Sequence, residues 1–263
     1  MIANVQAAIN AVAASAVPLH HAAGLGRIFE LYVMTGIAQR LLHLGWSVQL
    51  QRSDGSPLTG GDPFIQRGGK PTGVAPAVHG PYGPSSILIS SPKTATEWEI
   101  WSGIQFRGRS HALHEFDVAI VPRGLALDLR ASANVDFPFG RPVVAIECKD
   151  VQSAGSPDEM RTLVARLYDV TLTRSHTYLT GGAPVNAIYP GGVGHSGYLP
   201  AHKTYRDSNL STKSVLARTG AFSSGAIAMT SYYRIGPYDQ VTPGTATAAR
   251  LFDDVSSWID RNL

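Results

Sequence analysis

Apolar positions recur at helical spacing over residues 22–45. With Glu30 as origin, Val33, Met34, Ile37, Leu41 and Leu44 form one stripe, and Thr35, Gln39 and His43 mark a wetter side. Gly45 ends this predicted helix, and Trp46-Ser47-Val48-Gln49-Leu50 alternates as a strand does. Ile87–Ser90 and Trp98–Phe106 read as short strands. Two further runs follow, His114–Val121 and Pro142–Ile146, the second continuously apolar as expected of a strand buried on both faces. Ser156-Pro157-Asp158-Glu159 has the form of a helix start, with serine as cap and proline in the first turn. Met160, Leu163, Val164, Leu167, Val170 and Thr171 continue it. Gly225–Tyr233 reads as a strand, and Ala248, Leu251, Phe252, Val255, Trp258 and Ile259 as a closing amphipathic helix. The alanine-rich stretch Met1 to Val17 reads as an amphipathic or peripheral helix, since it has no basic leader and Asn4, Gln6 and Asn10 interrupt it. No run approaches the roughly 18 apolar residues that span a bilayer.

This order predicts one α/β domain over 1–263, with a mixed central β-sheet flanked by helices. Its core spans about 22–180, with a Gly/Pro-rich insertion at 53–84 and a C-terminal extension at 181–263. The chain holds 27 Gly and 17 Pro among 263 residues, which accounts for the irregular stretches. Cys148 is the single cysteine, so an internal disulfide and a cysteine-rich zinc site are excluded, and a reducing cytoplasm fits. A net charge of +3 does not by itself indicate nucleic acid. Residues 201–220 are locally basic, with Lys203, Arg206, Lys213 and Arg218 against Asp207, and read as a solvated loop able to attract phosphates.

The chemistry lies at the polar ends of two strands. Pro142–Ile146 runs into Glu147-Cys148-Lys149, and Asp117 stands thirty residues before Glu147. Side-chain alternation puts Glu147 and Lys149 on one face and Ile146 and Cys148 on the other. By the same rule Glu115 and Asp117 share a face, away from Phe116 and Val118. An isolated Glu-x-Lys on an exposed strand is an ordinary surface pair worth well under a kcal/mol. On a buried strand the charges are costly unless they pair or bind metal. Two carboxylates suit Mg²⁺, a hard cation that prefers oxygen ligands and retains water. A lysine beside them orients or polarises an attacking water, or offsets charge on a phosphoryl transition state. Glu30, inside an apolar stripe, either pairs with Arg27 one turn back or supplies a third acid to the metal or its water.

The order of an acid on an early helix, Asp at a strand start, and Glu-x-Lys on the next strand resembles the PD-(D/E)xK, or restriction-endonuclease-like, nuclease superfamily. Phe116 stands where the motif's name places proline. The resemblance implies a mixed sheet flanked by helices, a metal-dependent nuclease, and Mg²⁺ as cofactor with Mn²⁺ as substitute. It implies that Asp117, Glu147 and Lys149 are the motif residues and Glu30 the helix acid, with Asp117, Glu147 and Glu30 toward the metal. It also implies DNA rather than RNA as substrate, in prokaryotic restriction, defence or DNA processing. Double-strand cutting calls for a homodimer or partner subunit, because one site cuts one strand at a time. Two other readings stand beside it: a non-catalytic module on the same fold, and a nuclease subunit that needs a specificity or activator protein.

Arg107 and Arg109, following Trp98 and Trp101, are candidate nucleic-acid contacts together with Lys203 and Arg206. Gly192–Gly197 has the letters of a dinucleotide fingerprint but is followed by Pro200, so it reads as a loop. His20-His21 and His111/His114 lack zinc spacing. Cys148 reads as a small core residue.

Overall fold

A computed structural model of the chain describes residues 1–21, 25–59, 61–66, 68, 83–108, 110, 112–131, 142–170 and 212–263. The elements run α1 (Ile2–Ala13), β1 (Leu19–His21), α2 (Leu25–His43), β2 (Ser47–Gln51), β3 (Phe64–Gln66), β4 (Ser86–Ser90), β5 (Glu97–Arg107) and β6 (Leu113–Pro122). They continue with α3 (Arg123–Ala131), β7 (Val144–Lys149), α4 (Pro157–Val170), β8 (Lys213–Arg218), α5 (Ser224–Tyr233), β9 (Gly236–Tyr238) and α6 (Ala246–Asn262).

Seven strands form one mixed sheet in the order β2-β4-β5-β6-β7-β8-β9. Pairing is antiparallel from β2 through β7 and parallel from β7 to β9. Each face carries its own apolar cluster. One packs Val5 and Ile9 of α1, the Ile28-to-Leu41 stripe of α2, and Leu251 and Val255 of α6 against Ile100, Val118 and Ile146. The other packs Leu125 and Leu129 of α3, Met160 and Leu163 of α4, and Ala226 of α5 against Trp101, Ala119 and Ala145. The result is a three-layer α/β/α sandwich, the mixed sheet flanked by helices that the element order predicts.

The continuous apolar run of β7 is explained by its place. It lies between β6 and β8, and Val144 through Cys148 are all buried. Two strands away, a buried ion network joins α3 to β5. Glu99, fully buried, receives Arg130 at 2.6 and 2.7 Å, Arg123 at 2.9 Å and the Trp101 indole at 2.9 Å. These partners satisfy a charge that would otherwise be costly to bury.

Three expectations need correction. Gly225–Tyr233 is not a strand but the body of α5, started by the Ser223 hydroxyl accepting the Ala226 N–H. Residues 213–218 are not a solvated loop but β8, parallel to β7, and Arg218 is 1% exposed. Arg218 reaches Glu159 at 2.8 Å instead of solvent. The third concerns side-chain alternation on β6. Phe116 and Val118 pack into different clusters, so the strand does not keep one facing throughout. The switch lies between the pairs Ser102↔Val118 and Ile104↔Phe116, where Gly103 takes φ +64°. Glycine reaches that left-handed region without a Cβ clash, and a change of facing at Gly103 carries β6 with it. Glu115 therefore turns toward α2, while Asp117 sits at the crossing point.

Candidate active site at the fork of two central strands

Strands β6 and β7 pair over Val118↔Ile146, Ala119↔Ala145 and Ile120↔Val144. Just past that register, the Asp117 carboxylate accepts the backbone N–H of Cys148 at 2.7 Å. A side chain thus takes a ladder donor where the strands diverge, and Asp117 is held in the fork. Burial, reinforced by the charges of Glu147 and Glu30, pushes its carboxyl up to about 7. The Cys148 amide and Lys149 pull the other way without cancelling the rise.

Glu147 and Lys149 face together, as alternation requires, with Oε1 of the acid 2.5 Å from the amine. Ile146 and Cys148 lie in the opposite cluster. Burial lowers the affinity of Lys149 for its proton, but Glu147 outweighs it, and the net direction is upward. The amine is therefore held charged and acts as an electrostatic group. Cys148 is buried, and burial pushes its thiol well up, so it packs rather than attacks.

Arg166 of α4, not singled out by the sequence, completes this side. Its Nη2 lies 2.6 Å from Glu147 Oε1, and its Nη1 donates to the Glu115 carbonyl at 3.1 Å. Nothing local marks it. It belongs to the polar positions of an amphipathic helix, and only the packing of α4 on the sheet brings it to Glu147. Glu147 Oε2, by contrast, is buried with no hydrogen-bond partner.

Glu30 approaches from α2. Its carboxylate receives Arg27 at 3.0 Å, Ser102 at 3.1 Å and Gln66 at 3.3 Å. The pairing of Glu30 with Arg27 one turn back is present, and the same carboxylate stands near enough to Asp117 to raise it. Burial pushes the Glu30 carboxyl up as well, against the pull of Arg27. Gln66 comes from β3, so the Gly/Pro-rich insertion places one of its residues at the site. Arg27 also lies 3.5 Å from Glu115.

The charges around the fork do not balance. Asp117, Glu147, Glu30 and Glu115 are four carboxylates against three fixed cations, Lys149, Arg166 and Arg27. Glu147 meets two of those cations at Oε1 and leaves Oε2 unsatisfied, while Asp117 is raised by burial first and then by the charges of Glu147 and Glu30. A divalent ion held by those two carboxylates would relieve both, and Mg²⁺ commonly uses one or two carboxylates with water for the rest. Among the described residues no group of three or more His, Cys, Asp or Glu stands ready to hold a metal. Asp117 and Glu147 would be the two carboxylates to hold such an ion, with Glu30 engaged by its own partners.

Of the candidate nucleic-acid residues, Arg107 alone lies among the described residues. Arg107 ends β5, half-buried, four residues beyond Gly103 or about 13 Å along the strand. Arg109, Lys203 and Arg206 lie outside the described residues, as do Gly192–Gly197 and His111. His114 bonds Asp169 at 2.6 Å, pinning the β5–β6 hairpin to the end of α4.

No family model and no curated protein matches the chain. Among solved structures, the crystal structure of a protein of unknown function, AF1548, is similar at 14% identity and a TM-score of 0.31. The match covers 60% of this chain and 58% of that one, so the chain spans less than two thirds of that protein. A likeness of that strength carries no argument. No described helix is long and apolar enough to cross a membrane.

Proposed function

We propose that the chain is a metal-dependent nuclease with a restriction-endonuclease-like core, hydrolysing phosphodiester bonds at the fork of β6 and β7. The observation that carries this reading is the buried Glu147 Oε2, which has no hydrogen-bond partner, together with the raised carboxyl of Asp117 that its charge helps to produce. Asp117 and Glu147 would hold Mg²⁺, or Mn²⁺ in its place. When bound, such an ion polarises a phosphate oxygen and lowers the pKa of an attacking water. Lys149 stays charged beside Glu147, orienting that water and offsetting negative charge on the phosphoryl group. Arg166 fixes the Glu147 carboxylate through Oε1. Glu30, with Arg27, sets the potential felt by Asp117.

DNA is proposed over RNA, and prokaryotic restriction, defence or DNA processing in the cytoplasm over other settings, on the motif resemblance alone. Arg107 and Arg109, with Lys203 and Arg206, are the proposed backbone contacts. Cutting both strands of a duplex requires a second copy or a partner subunit.

A second reading has its own observation. Glu147 Oε1 is held by two cations and Glu30 by three donors, which also suits a non-catalytic module whose acids form a structural network. A plasmid assay with Mg²⁺ separates the two. The nuclease reading expects cleavage by the wild type that is abolished by EDTA and by Lys149→Ala. Cleavage that survives both controls rules the mechanism out. Cleavage that appears after adding a second protein identifies a subunit of a larger nuclease.

A further inference from the structure

We infer that this site takes one divalent cation and not two, because the Arg27 guanidinium holds the place where a second would bridge Glu30 and Glu115. The inference rests on the metal-dependent reading above and adds the number of ions to it. A single nitrogen, Arg27 Nη1, lies 3.0 Å from Glu30 Oε2 and 3.5 Å from Glu115 Oε1. One positive centre between two carboxylates is the position a bridging ion would occupy. Neutral donors also reach both acids. Ser102 and Gln66 donate to Glu30 Oε2 at 3.1 and 3.3 Å, and Gln105 donates to Glu115 Oε2 at 3.2 Å.

The seat of the guanidinium is shaped for it. A Cβ on Gly103 would lie 3.2 Å from Arg27 Nη1, and one on Gly68 would lie 3.9 Å from it. The glycine at 103 thus leaves the space that Arg27 enters from the first turn of α2, and Gly68 borders it at ordinary contact distance. An arginine keeps its charge at any pH the fold survives, so the seat is not vacated by deprotonation. The contrast with the fork is direct. At the fork Glu147 keeps a buried oxygen without a hydrogen-bond partner, whereas Glu30 and Glu115 share a resident cation.

Equilibrium dialysis of the intact chain against Mn²⁺, with bound ion counted by electron paramagnetic resonance, tests this without reference to activity. One ion per chain is expected for the wild type and for Arg27→Lys. Two are expected for Arg27→Ala, the added ion returning to one when Glu115→Gln is combined with it. Arg27→Gln keeps N–H donors without the charge and serves if Arg27→Ala does not fold; it too should bind two. Two ions in the wild type, or one in both neutral variants, overturns the inference while leaving the metal-dependent function standing. No ion in the wild type removes that function, and this inference with it.

Discussion

Asp117 accepts the N–H of Cys148 at 2.7 Å, just past Val118↔Ile146, the last backbone pairing of their two strands. The contact fixes a carboxylate between like charges, in a place where only its side chain closes the ladder. The penalty of that arrangement is measurable. The folded-state pKa of about 7 lies above an ordinary aspartate's, so the folded chain binds the proton more tightly than the unfolded chain. The stabilisation from that proton is complete below the unfolded value, near pH 4, and is lost as pH rises through about 7. Asp117→Asn keeps an acceptor for Cys148 and removes the charge. In EDTA its stability advantage over wild type should grow from near zero at pH 4 to a few kcal/mol at pH 8. Urea denaturation at both pH values checks this, and an advantage that does not change with pH would contradict it.

Arg166 was invisible to sequence reasoning yet touches the acid on which the mechanism depends. Arg166→Gln should lower cleavage by about 10–100-fold, the usual range for a group that orients a metal ligand. It should also destabilise the metal-free chain by about 1–3 kcal/mol, the value of a hydrogen bond to a charged group. Arg166→Lys should recover part of the activity. Steady-state kinetics with denaturant curves for both variants would show it, and full activity in Arg166→Gln would exclude the role.

Gly103 is where both strands change facing, and its φ of +64° puts any Cβ 2.8 Å from the Gly68 Cα. Gly103→Ala should cost about 1–3 kcal/mol from backbone strain alone. Because the change of facing delivers Asp117 to the fork, metal-dependent stabilisation should weaken as well. Thermal melts with and without Mn²⁺ measure both effects.

The Glu99–Arg130 pair provides the opposite case, a charged network with no proposed chemistry. Arg130→Ala leaves a fully buried acid short of its principal partner and should cost about 3–5 kcal/mol. Cleavage per folded molecule should stay unchanged at a temperature where the variant is native.

The alternation rule was enough to place Glu147 with Lys149 and to separate them from Ile146 and Cys148, because β7 is a regular strand buried on both sides. It failed on β6, where one glycine in a left-handed conformation reverses the facing within a run of otherwise ordinary strand residues. The apolar stripe of α2 was legible, including the oddity of Glu30 within it. Strand β8 was not, since Lys213 and Arg218 bound a short apolar core and look like surface residues. Arg218 is buried only because Glu159 and the loop carbonyls meet it. In α5, Ile227, Thr230, Tyr232 and Tyr233 are strand formers by propensity, and packing together with the Ser223 cap overrode them. Arg166 and Gln66 reach the site through tertiary placement, which no local pattern encodes.

The most direct test of the metal-dependent fork is a crystal soaked in Mn²⁺ and measured at the manganese edge. The account predicts an anomalous peak in contact with the carboxylates of Asp117 and Glu147, absent in crystals of Asp117→Asn. Well-ordered side chains at both positions with no peak between them, at Mn²⁺ concentrations that saturate other sites, would contradict it.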